Sequence, residues 1–123
     1  MSKTFFAVGA LMCAAAVAAG AFGAHGLAAR LDARGLELWE TAARYFMYAG
    51  LGTLICGLSM PHLASPSGAW AGTALIVGGV IFSGAVGGLA LGAPRILGAV
   101  APIGGSALIV GFVLLAWSAW SAA

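Results

Sequence analysis

Few side chains in this 123-residue sequence could do chemistry, and their spacing decides which kind. His25 stands in Gly20-Ala21-Phe22-Gly23-Ala24-His25-Gly26-Leu27, where an uncharged run beginning at Thr4 meets the first charged segment. An imidazole titrates near neutral pH, so His25 reads either as a proton-accepting or ligand-contacting group, or as a structural donor to a backbone carbonyl that ties the first two helices. Glu40 and Arg44 are four residues apart on one helical face and are expected to form an ion pair, with Glu37 one turn earlier. Arg44 lies near a membrane boundary, where an arginine can pair or snorkel instead of marking a functional site. With Tyr45 and His25 it forms the candidate ligand or proton contact at one mouth of the molecule. His62, in Pro61-His62-Leu63-Ala64-Ser65-Pro66, reads as a solvated turn residue.

The remaining chemistry is thin. Cys13 and Cys56 fall in apolar runs without CxxC or His/Cys spacing, so they read as structural thiols and no metal is expected. No serine has a histidine and carboxylate within a plausible constellation, and no carboxylate pair or phosphate cradle is present. No catalytic residue and no cofactor are expected, and the reading is of a protein that is not an enzyme. Ser83 is expected to bond its own helix backbone. Five basic and three acidic residues, net charge +2, are scattered without a basic run, which excludes a nucleic-acid partner.

The elements that must position these residues follow from composition. At 63% hydrophobic and 7% charged, with a mean hydropathy of +1.09, the chain lacks the polar surface of a water-soluble globule and belongs in a lipid bilayer. A membrane helix takes about 20 apolar residues. The chain therefore reads as one all-α transmembrane domain over residues 1–123, an integral membrane four-helix bundle with short connections. The spans are placed at about 4–24, 39–60, 69–92 and 98–120. The first is kept as a span and not as a cleaved signal, because it is long enough to cross and carries a small-residue face.

Between the first two spans, Arg30, Asp32, Arg34 and Glu37 alternate with Leu27, Leu31 and Leu36, the pattern of an amphipathic interfacial loop with Trp39 at its boundary. Ala16, Gly20 and Ala24 recur every fourth residue, as do Gly84, Gly88 and Gly92. In lipid such spacing serves close helix packing, so both stripes are expected to be packing faces, the second a glycine zipper. Pro102 is expected to kink the fourth helix or mark its start, and Trp117 and Trp120 to form an aromatic belt. His25 and His62 then fall on opposite faces, about 30 Å apart, and cannot share a ligand. Arg30, Arg34 and Arg95 on one side against Lys3 on the other place the arginine-bearing connections in the cytoplasm.

The stretch from Gly20 to Leu27, with Trp39-x-Thr41-Ala42-x-x-Tyr45, Phe82-Ser83-Gly84 and Leu97-Gly98-Ala99-x-x-Pro102-Ile103-Gly104-Gly105, resembles the family catalogued as domain of unknown function 423. The resemblance covers nearly the whole chain and implies a small four-span protein of the bacterial inner membrane. It transfers no settled activity. It also implies departures: relatives carry a histidine where this chain has Ala49, a tyrosine at Gly87 and a threonine at Ala101, so any chemistry those groups serve is expected to be absent here. The expected role is structural or accessory, with assembly through Gly/Ala faces into a homo-oligomer or a larger membrane complex. An oligomeric permease for a small molecule or ion, using His25, Arg44 and Tyr45, is the alternative, followed by an enzyme acting on lipid or quinone.

Overall fold

The computed structural model describes residues 1–123 and is all-helical. Helix α1 spans Ser2–Phe22 and runs on into one wide π turn, Gly23–Leu27; α2 spans Ala33–Ser59, α3 Ser67–Ala90 and α4 Leu97–Trp120. Three of them, α1 with its π turn, α3 and α4, are long and apolar enough to cross a membrane. α2 carries its charges in its first three turns and is apolar from Tyr45 onward.

Local chemistry sets the ends. Asp32 takes an extended backbone, and its Oδ1 accepts the Gly35 N–H at 2.7 Å, so α2 starts six residues before the expected span. Residues 33–38 of the expected interfacial loop are thereby the first turns of a helix. Pro61 follows α2 at once, allowing only the single 3-10 turn Met60–His62. α3 closes on Gly92, whose φ of +93 is the left-handed conformation, with Ala93 N–H donating to Gly88 O at 2.9 Å and Gly92 N–H to Leu89 O at 3.1 Å. Gly92 is therefore a helix terminator and not the third member of a packing stripe. α4 runs unbroken through Pro102.

The helices pack in chain order, α1 on α2, α2 on α3 and α3 on α4, while α1 and α4 have no extended contact. One core layer takes Met12, Ala49, Leu75 and Leu108, one residue from each helix. Bare backbone makes the seams. A Cβ on Gly50 would strike Cys13 and Gly9 O, and a Cβ on Gly78 would come within 2.8 Å of Leu108 N. Without a hydrophobic gradient between lipid and protein, such contact is what holds membrane helices together. Ser2 Oγ donates to Gly57 O at 2.6 Å, and Ser118 Oγ to Ala64 O at 2.8 Å, closing the opposite end of the molecule. The outer surface is apolar: Leu11 is 70% exposed, Ile103 63% and Trp120 85%.

Candidate functional site

Trp39 organises the end where α1 meets α2. Its indole Nε1 donates to Ala19 O at 2.7 Å, twenty residues earlier. A Cβ on Gly23 would lie 2.5 Å from the Trp39 ring, and a Cβ on Gly26 would lie 2.6 Å from the Phe22 ring; the two rings meet edge-on at 6.3 Å. Gly23 and Gly26 are thus glycine because aromatic rings occupy the space of their side chains. The π turn falls at this crowded point, where Trp39 takes a carbonyl of α1. At this end the side-chain tie between the first two helices therefore comes from Trp39, whereas His25 is exposed on the π turn without a hydrogen bond.

Below Trp39, α1, α2 and α3 enclose a groove of about 330 Å³, the lower end of the range for small-molecule pockets. Its walls are nearly all carbon: Ala15, Ala16 and Ala19 from α1, Ala42 and Phe46 from α2, Gly84 and Gly87 from α3. Beyond Trp39 a second hollow of about 480 Å³ continues along α1, lined by Gly20, Ala24 and Glu40 among others. A Cβ on Gly20 or Gly84 would meet nothing within 4 Å. The only polar side chain in the groove besides Trp39 is Ser83, whose Oγ is buried and makes no hydrogen bond. That overturns the expected bond to its own helix, which Thr53 and Thr73 do make, to Ala49 O at 2.7 Å and Ala69 O at 2.9 Å.

The other expected site residues are dispersed. Glu40 and Arg44 form no ion pair: Glu40 borders the hollow beside α1, while the Arg44 guanidinium lies 5.9 Å over the Tyr45 ring. The one ion pair is Arg34–Glu37, at 3.3 Å with both side chains 71% exposed, a geometry worth little in water. Tyr45 packs on Tyr48 and Phe82 at 5.1 and 4.8 Å and faces a separate hollow against α4. His25, Arg44 and Tyr45 share no cavity and no hydrogen bond. The two small-residue stripes are also split: Ala16 is buried inside the chain, Gly88 is covered by Leu97, and Gly20, Ala24 and Gly84 stay exposed. Ala49 and Ala101 are buried in the core, and Gly87 lines the groove.

Apolar helices with bare-backbone seams and a lipid-like outer surface define a helical membrane protein. The chain belongs to the family described as protein of unknown function, DUF423, whose model matches residues 19–105. It is 47% identical over 113 residues to a UPF0382 membrane protein of Staphylococcus epidermidis, the match covering 92% of each chain. It is likewise 47% identical to a UPF0382 membrane protein of Staphylococcus saprophyticus, over 92% of this chain and 93% of that one, and 45% identical to that of Staphylococcus haemolyticus. No solved structure matches.

Proposed function

We propose that the protein is a four-span, non-catalytic component of the bacterial inner membrane that works by assembly, its α1–α2–α3 groove receiving an apolar helix of another chain. The fourth span is α2, whose apolar part begins at Tyr45 and whose first turns reach out at the charged end. The observation that carries the reading is the openness of Gly20 and Gly84. Gly92 and Gly98 are equally open, but neither lines a groove, whereas Gly84 and Gly20 border the groove and the hollow that continues it. Bare backbone facing a groove lets a further helix approach closely. A permeation mouth on His25, Arg44 and Tyr45 lacks support, because the three do not converge. Native mass spectrometry of gently extracted protein tests the reading: Gly84→Leu is expected to reduce the assembled species to the 12.1 kDa chain, and unchanged assembly overturns it.

A further inference from the structure

We infer that the cleft between α2 and α4 binds an anionic phospholipid, its phosphate held by Arg44 with the Tyr45 and Tyr48 hydroxyls and one acyl chain laid in the cleft. The site lies apart from the α1–α2–α3 groove and stands whatever occupies that groove. Arg44 is the innermost charged residue of α2, about 16 Å along the helix from Ala33, and the rest of the helix beyond it is uncharged. Side chains on a helix lean toward its N-terminus, so Arg44 reaches back toward the charged end, where headgroups lie. Its side chain is exposed and has no carboxylate: Glu40, one turn earlier, borders the hollow beside α1, and the one ion pair of the chain is Arg34–Glu37. An arginine at such a depth is costly without an anionic partner, and a lipid phosphate is the anion that the bilayer supplies.

The surroundings suit a lipid better than a helix. The Arg44 guanidinium stands 5.9 Å from the centre of the Tyr45 ring, which meets Tyr48 edge-on at 5.1 Å, and neither phenol makes a hydrogen bond within the chain. Arg44 and Tyr48 are four residues apart and share a face that continues through Leu51 and Ile55, which are 45% and 50% exposed. Guanidinium, phenol and aliphatic carbon thus follow one another in the order of the phosphate, the glycerol esters and the acyl chain of a phospholipid. Beside this face Tyr45 and Tyr48 of α2 and Gly105, Ile109 and Phe112 of α4 enclose about 320 Å³, within the range for ligand pockets. Phe112 stands over Gly52, where a Cβ would lie 2.8 Å from its ring, and parts this hollow from a lower one beside Ile55. Apart from Gly105 these walls are bulky, so the backbone of another helix cannot come close as it can over glycine and alanine, whereas a flexible hydrocarbon chain fits between them. No carboxylate lines the cleft to take an ammonium, which favours a headgroup of net negative charge over a zwitterionic one.

The test places the full-length protein in nanodiscs of phosphatidylglycerol and phosphatidylcholine in equal amounts and counts, by native mass spectrometry, the lipid retained per chain on release. The wild type is expected to keep phosphatidylglycerol over phosphatidylcholine by about fivefold. Arg44→Gln is expected to lower that retention about tenfold, and Tyr48→Phe, which removes one neutral hydrogen bond, about threefold. Arg34→Gln takes the same charge from the same end of the molecule and is expected to leave retention within about twofold of the wild type. Gly105→Leu keeps the arginine and fills the cleft: the new Cβ meets only the Phe82 ring, at 3.5 Å, so the fold stands. Retention is expected to fall about tenfold there too, because the acyl chain loses its place. Equal retention of the two lipids, or a loss in Arg34→Gln matching that in Arg44→Gln, overturns the inference, since binding is then acyl contact alone or diffuse charge. Unchanged retention in Gly105→Leu overturns it as well, because the arginine then holds a headgroup with no chain in the cleft.

Discussion

Gly78 and Gly84 stand on the same helix six residues apart, yet a Cβ at the first would press on Leu108 N and Gly104 O while a Cβ at the second would meet nothing within 4 Å. The same residue type does opposite work in the two regions. At the α3–α4 seam, glycine brings two backbones together; at the groove, it leaves a space. Spacing alone does not separate the two, because both regions satisfy a small-residue pattern. What separates them is whether another helix of the same chain crosses at that height.

The largest effect is expected at the seam. Gly78→Leu or Gly104→Leu drives a side chain into facing backbone, and overpacking of this kind costs about 3 kcal/mol or more where no flexible neighbour can move away. Unfolding titrations in mixed micelles should show it, and a change below about 1 kcal/mol would mean that the seam can part. Next comes Trp39→Phe, which keeps most of the ring but removes the bond to Ala19 O and is expected to lose about 1 kcal/mol. Amide exchange at residues 19–27 should rise with it, since the π turn loses its tie.

Smaller still is the intrinsic effect of Gly84→Leu on the single chain, within about 0.5 kcal/mol, because nothing must move. Large destabilisation there would erase the contrast between seam and groove. Arg34→Ala is expected to change stability by about 0.5 kcal/mol or less, its exposed pairing with Glu37 being screened by water and salt.

Much of this was legible in the sequence. The long apolar runs and the prolines at 61 and 66 fixed where helices run and stop, and helical structure follows from the need to satisfy backbone groups internally. The beginning of α2 was misjudged because Asp32 caps a helix whose first turns are charged, and hydropathy reads such turns as a loop. Pairwise chemistry was the least legible. Glu40 and Arg44 have the spacing of an ion pair, but a side chain four residues away is only one of several partners within reach, and Arg44 lies on Tyr45. The role of Trp39 was hidden for a different reason: its acceptor is Ala19, and no local pattern links an indole to a carbonyl twenty residues upstream. Gly92 was misread because a terminator at C′ and a packing glycine look alike in a four-residue rhythm.

The connection between α2 and α3, residues 60–66, contains no Asp, Glu, Lys or Arg, whereas the other end of the molecule holds Arg30, Asp32, Arg34, Glu37, Glu40 and Arg95. In the four-span arrangement proposed above, this has a consequence for biogenesis. The α2–α3 hairpin can enter the bilayer tip first, since its leading turn carries no carboxylate, lysine or arginine through the hydrocarbon, while the charged turns behind it stay in water. Two arginines inserted into that turn would slow insertion or reverse the hairpin without touching a single packed residue.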